Sequence, residues 1–205
     1  MAKKRVLVLN GSFCEAPIIK KAKEMGMYVI TTGNAPNLIG HQYADEYIPA
    51  DYSDKEKVLQ IVKDNDIEGV ISCANDFGVL TAAYVAEQMG WPGYDKYEIA
   101  KLLHHKNLFK QYVYKHNIPA PHSYCPEDKA DALNYIKQIE YPIIVKANDL
   151  TGGKGIRRAN TYEEAVEAVD YSYEKSRDKH IVIEPFVIGT QHTLSLIHIS
   201  EPTRP

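Results

Sequence analysis

Apolar positions along this chain recur with two periods. Val6-Leu7-Val8-Leu9 is a continuous apolar run ending at Asn10-Gly11-Ser12, the pattern of a strand buried on both faces and followed by a tight turn. Pro17 suits the first turn of a helix on which Ile18, Ala22 and Met25 recur at i, i+4 and i+7. Tyr28-Val29-Ile30-Thr31 predicts a second strand, and Glu46-Tyr47-Ile48-Pro49 a short, weak one. Ser53 and Glu56 have capping-box spacing ahead of Val58, Ile61 and Val62. Gly69-Val70-Ile71-Ser72-Cys73 predicts the next buried strand, and the stretch from Val79 to Met89 a helix that stops at Gly90-Trp91-Pro92-Gly93.

Strands alternating with helices over roughly the first 90 residues imply parallel βαβ units and an α/β, doubly wound sheet. Ligands of such sheets sit at the carboxyl ends of the strands, which makes Asn10-Gly11-Ser12 and Ala74-Asn75-Asp76-Phe77-Gly78 candidate ligand turns. Gly11 is equally well explained as a turn glycine. The segment Gly11 to Ala16 lacks the second and third glycines of the dinucleotide fingerprint, which argues against an NAD-dependent dehydrogenase. From Asp95 the pattern changes to helix, helix, turn, with a basic stretch from Lys101 to Asn117 and a stop at Asn117-Ile118-Pro119-Ala120-Pro121. We therefore place a domain boundary between residues 94 and 95. Beyond it the pattern predicts a helix over 127–140, a buried strand Pro142 to Lys146, a helix boxed by Thr161 and Glu164 with Ala165, Val166, Val169 and Tyr173 on one face, and a strand Ile181 to Glu184.

Composition narrows the function classes. The chain has 205 residues, 44% apolar and 25% charged, enough for a sizeable core. Its net charge of −3 gives no global attraction to nucleic acid or to an anionic membrane, so neither is expected as a partner. No apolar run reaches membrane-spanning length and the start lacks a signal-peptide pattern, so the expected compartment is the cytoplasm. Cys14, Cys73 and Cys125 are odd in number and widely spaced, which predicts reduced thiols rather than disulfides or a zinc site. No histidine or carboxylate grouping has metal-ligand spacing.

The chemistry concentrates at Lys146, on the end of a predicted buried strand, and the loop Asp149-Leu150-Thr151-Gly152-Gly153-Lys154-Gly155 that follows. Glycines let backbone N–H groups approach a polyphosphate, and lysines neutralise its charge. The loop is not a Walker loop, because GxxxxGK[ST] is absent. Alone it fits a hairpin tip as well, and Lys146 fits an ion pair with Asp149 or Glu184. Lys110 and Lys115 read as a solvated helix face, and His104-His105 as surface.

Order and company change the weighting: a basic helix with Lys106, then Ile118-Pro119-Ala120-Pro121, Tyr141 to Lys146, the glycine loop, and Ile183-Glu184-Pro185-Phe186-Val187-Ile188-Gly189. From residue 3 to about 195 the chain resembles the ATP-grasp superfamily, in its carboxylate-activating branch that includes biotin carboxylase and the carbamoyl phosphate synthetase large subunit. The resemblance implies a Rossmann-like parallel pre-ATP-grasp domain over 1–94, an incomplete α+β ATP-grasp domain over 95–195, and a tail, 196–205, foreign to the family pattern. It implies that Lys106 and Lys146 bind nucleotide phosphates and that Gly152, Gly153 and Gly155 form a mobile flap. Glu184, Phe186 and Val187 would then form the hinge that reads adenine, and Gln191 would take the place of a ribose-binding glutamate.

The function so implied is the ATP-binding portion of a ligase that activates a carboxylate as an acyl phosphate with Mg-ATP for attack by an amine or similar nucleophile. The carboxylate is unknown and is expected near Gly11-Ser12 and Asn75-Asp76. The family's catalytic arginine and magnesium ligands are expected after Ser195, where this chain departs from the pattern. Without them γ-phosphoryl transfer loses its main charge stabilisation, so these 205 residues are expected not to turn over. A truncated lobe would also leave a sheet face uncovered, which predicts aggregation. The alternative is a nucleotide-binding module without catalysis, truncated or dependent on a partner. The sequence is silent on oligomeric state, though homodimers are common in the family.

Overall fold

A computed structural model describes residues 3–190 and 192. The described residues divide into two compact units, one within Met1–Ala120 and Asn148–Gly153, the other within Pro121–Ala147 and Lys154–Pro205. Gln191 and the tail 196–205 lie outside the described residues.

The first unit contains the predicted parallel sheet. Strands β1 (Arg5–Leu9), β2 (Tyr28–Gly33), β3 (Glu46–Pro49) and β4 (Val70–Ile71) are ordered β3-β2-β1-β4, with every pairing parallel. Alternate side chains of β1 serve opposite layers, which is why its sequence is apolar throughout. Leu7 and Leu9 pack with Val58, Ile61 and Val62 of helix α2 (Lys55–Asp64) and Ala82 and Val85 of α3 (Asp76–Met89). Val6 and Val8 pack on the other side with Ile19 and Ala22 of α1 (Ala16–Glu24). Two further helices, α4 (Tyr97–His104) and α5 (Lys106–Lys115), complete the unit. All three cysteines are free and partly buried. Among the described residues, no helix is long and apolar enough to cross a membrane.

Several local expectations need correction. Met25 is 63% exposed and only caps α1, so the buried face is Ile19 with Ala22. Helix α2 is capped by Asp54, which accepts from the Lys57 amide at 3.0 Å, because Ser53 is already bonded to Asp51 through both its amide and its hydroxyl. Helix α3 starts three residues earlier than its apolar pattern, since Asn75 caps it through the Gly78 amide. It ends where expected, on Gly90 in the left-handed conformation at φ 68°. The fourth strand pairs only over Val70–Ile71.

In the second unit an antiparallel sheet, order β6-β5-β7, is built from β5 (Ile143–Ala147), β6 (Ile156–Ala159) and β7 (Ile181–Pro185). One face, carrying Ile143, Val145, Ile181 and Ile183, packs on Ala165, Ala168 and Val169 of α7 (Tyr162–Lys175) and on Ala132 of α6 (Lys129–Tyr135). Helix α6 is half the expected length: beyond Tyr135 the backbone tightens into i+3 turns, and the Tyr141 hydroxyl takes the Ile136 carbonyl at 2.7 Å. At the start of α7, Thr161 accepts from the Glu164 amide, but the Glu164 carboxylate returns to Asn160 rather than to Thr161. That bond holds the Glu164 carboxyl below its usual range.

Candidate functional site

The antiparallel register decides which side chains share a face. Ile144 pairs with Glu184 and Lys146 with Val182, so Lys146 and Glu184 are diagonal neighbours on the face opposite α6 and α7. Their side chains meet, Lys146 Nζ lying 2.6 Å from Glu184 Oε2. The carboxylate is 5% exposed and the ammonium 24% exposed. Glu184 Oε1 accepts from the Ser123 hydroxyl at 2.6 Å, so the carboxylate is held from two sides. One alternative left open by the sequence, an ion pair between Lys146 and Glu184, is thus present in this ligand-free arrangement. A half-buried lysine on a fixed carboxylate is an oriented cation that an arriving polyphosphate can share.

The glycine loop follows β5 directly. Gly152 and Gly153 have φ of 63° and 77°, and a Cβ on either would meet nothing within 4 Å. Their need for glycine is therefore conformational, and the surrounding space stays open for a ligand. Gly155, at φ 67°, is buried, and its carbonyl accepts from the Ala147 amide at 2.7 Å to close the base of the loop. Lys154 is exposed at the tip.

After β7 the chain continues through the expected hinge. The Phe186 amide donates to the Pro142 carbonyl at 2.9 Å, and the Arg158 guanidinium stacks 4.3 Å from the Phe186 ring centre. Val187 is 66% exposed. Glu184, Phe186 and Val187 therefore form a short run with a buried carboxylate at one end and uncovered apolar surface at the other.

Lys106 lies in the first unit, as the first residue of α5. The buried Asn148 organises it: its carbonyl accepts from the Lys106 amide at 3.2 Å, and its side-chain oxygen accepts from the Asn107 amide at 2.9 Å. The Lys106 ammonium donates to the carbonyls of Asn148 and Leu150. A cation at a helix N-terminus opposes the helix dipole, and these carbonyls offset that. Thr151 donates its hydroxyl to Asp76.

The structure thus brings Lys146 and Glu184 together, with Phe186 and Val187 on the same strand exit, and sets Lys106 on the Asn148–Leu150 segment. Sequence reasoning missed Ser123, Asn148 and Arg158. Nothing local to Ser123 or Arg158 signals a role, whereas a buried amide two residues past a strand-end lysine was a readable cue. His104 corrects the surface expectation: both its ring nitrogens are shielded from solvent and lack a hydrogen-bond partner. Burial first, and then the neighbouring His105, lower its pKa.

The turn after β1 is filled by the protein itself. A Cβ on Gly11 would fall 2.3 Å from the His41 ring, and the buried Glu15 carboxylate accepts from the Ser12 amide and hydroxyl at 2.8 and 2.6 Å. That carboxylate occupies the place where a dinucleotide-binding turn presents free donors, in keeping with the absent glycine fingerprint. Among the described residues no group of three histidine, cysteine or carboxylate side chains could hold a metal ion, so no step is derived through one.

Residues 104–202 match the family model described as phosphoribosylglycinamide synthetase, ATP-grasp (A) domain. The chain is 28% identical over 170 residues to the chloroplastic phosphoribosylamine–glycine ligase of Arabidopsis thaliana, covering 80% of this chain and 30% of that protein. It is 31% identical over 157 residues to phosphoribosylamine–glycine ligase of Streptococcus suis, covering 73% and 37%. Phosphoribosylglycinamide synthetase from Anaerococcus prevotii superposes with a TM-score of 0.61 at 27% identity, over 92% of this chain and 47% of that one. The biotin carboxylase domain of Hydrogenobacter thermophilus 2-oxoglutarate carboxylase, solved as a dimer with MgADP and bicarbonate, shares the fold at a TM-score of 0.69 and 20% identity, over 91% and 45%. The chain spans between 30% and 49% of the length of the curated relatives it matches. These matches place the chain in the ATP-grasp superfamily.

Proposed function

We propose that this chain is the ATP-binding portion of a ligase that activates a carboxylate as an acyl phosphate, which an amine or similar nucleophile then attacks. The observation that carries this reading is the Lys146–Glu184 pair on the sheet face opposite the helices, followed along the chain by a loop whose glycines leave open space. On this reading Lys146 keeps its contact with Glu184 and is shared with the α- and β-phosphates, so the buried carboxylate is not left without its cation. Amides of Gly152, Gly153 and Gly155 cover the phosphates. Glu184, with backbone groups through Phe186 and Val187, reads the amino edge of adenine. Lys106 is assigned to the nucleotide phosphates and Gln191 to the ribose by resemblance alone. The working domains are 1–94 and 95–195.

Magnesium would supply charge neutralisation at the nucleotide phosphates. Among the described residues no group of three histidine, cysteine or carboxylate side chains could hold it. The carboxylate and the nucleophile stay general. Two relatives are named phosphoribosylamine–glycine ligase and α-aminoadipate–LysW ligase.

The test is heat protection by ATP. The chain is expected to melt higher with ATP than without, Lys146→Ala to lose the shift, and Lys115→Ala, on the exposed face of α5, to keep it. Equal responses of the two variants would refute the assignment. ATP protection without ADP release, with candidate carboxylates present, would mark the 205 residues as a binding module.

A further inference from the structure

A cavity of about 320 Å³ lies wholly within the first unit and touches neither Gly11 nor Ser12. Its walls are two helix faces. Asp76, Val79, Leu80 and Ala83 recur at i, i+3, i+4 and i+7 on α3, and Ala100, Leu103 and His104 at i, i+3 and i+4 on α4. The connection through Gly93, Tyr94 and Asp95 closes one side. The volume is that of a small-ligand pocket. Val79 and Leu103 leave 40% and 60% of their surface uncovered, an apolar lining without a protein partner of its own.

The polar groups fix what could fill it. Asp76 and Asp95 line the cavity, and no lysine or arginine does. His104 adds no positive charge near neutral pH, because burial and His105 disfavour its protonated form. The wall therefore carries two carboxylates around an apolar middle. Both His104 ring nitrogens are shielded from solvent, so the carboxylates are the polar groups this wall offers a ligand. A protonated amine matches that lining: positive charge for the carboxylates and, on its carbon skeleton, apolar surface for Val79, Leu80, Ala83 and Leu103.

We propose that this cavity between α3 and α4 binds a small primary amine with an apolar body, its positive charge drawn by the carboxylates of the wall. This assignment goes beyond the nucleotide site and does not depend on it.

The probe is 3-methylbutylamine, titrated into the full chain by calorimetry and ligand-observed NMR, with 3-methylbutanol and 4-methylpentanoate as neutral and anionic analogues of similar shape. The amine is expected to bind about tenfold or more tightly than the alcohol, and the carboxylate not at all. Asp95→Asn should weaken the amine about three- to tenfold. Leu103→Lys, at a 60% exposed position, should abolish binding with an unchanged circular-dichroism melt. Lys146→Ala should bind the amine like the parent chain, which reads this site separately from ATP binding. Equal affinity for amine and carboxylate, or affinity unmoved by both Asp95→Asn and Leu103→Lys, would overturn the proposal.

Discussion

The two sheets solve opposite problems. The parallel sheet of the first unit is covered on both faces, so β1 is buried from Val6 to Leu9 and its following turn is packed with protein, His41 against Gly11 and Glu15 against Ser12. The antiparallel sheet of the second unit packs one face on helices, and on the other β7 stays buried through Val182 and Glu184 while β5 alternates between buried and half-buried positions. The half-buried positions include the lysine that meets Glu184. A strand sandwiched between two helical layers leaves chemistry to its turns, and those turns are filled here. A strand with half-buried positions, as β5 has at Ile144 and Lys146, can carry chemistry along its length.

That contrast is breakable. The largest effect is expected in the covered face of the second sheet: Ile183→Ala, at a fully buried position, should cost about 2–5 kcal/mol in denaturant unfolding, whereas Val187→Ala, two-thirds exposed, should fall within about 0.5 kcal/mol. Comparable costs would deny that this face of the sheet is covered. Next comes the filled turn. Gly11→Val drives a side chain into the His41 ring and should cost about 1–3 kcal/mol, visible as a lower Tm, while ATP protection persists. If ATP protection vanished with stability intact, the nucleotide would belong to that turn.

A smaller effect follows from buried histidines. His104 and His41 both titrate below the ordinary histidine value, chiefly because burial disfavours their charged forms. The unfolded chain takes up protons at about pH 6.5, where the folded chain does not, so stability is full above that pH and falls as pH drops toward the folded values. Unfolding midpoints between about pH 7.5 and 5.5 should show this slope, and His104→Gln should flatten it. An unchanged slope would contradict the burial of His104. Smallest is Gly153→Ala: with open space around it, only the positive φ resists, and the cost should be about 1 kcal/mol or less.

The sequence made the first unit legible because double burial writes an uninterrupted apolar run, as in Val6–Leu9. It was weaker in the second sheet. Ile156-Arg157-Arg158-Ala159 has no apolar run, and β6 exists because it pairs with β5, a long-range fact. Helix ends were misplaced where a neighbour competed for a cap, as Asp51 does for Ser53. In the candidate site, Lys146, Glu184 and the glycines were readable because each belongs to an ordered motif. Ser123 was not, since its contact with Glu184 spans 61 residues of chain.

The central claim is that nucleotide binds at the Lys146–Glu184 pair of the antiparallel sheet rather than at the carboxyl ends of the parallel one. The most direct measurement is the change in backbone amide NMR shifts as ATP is added. The account predicts perturbation of Gly152, Gly153, Gly155 and the Glu184–Val187 run, with Asn10–Glu15 unmoved. Shifts confined to Asn10–Glu15, with the glycine loop silent, would contradict it.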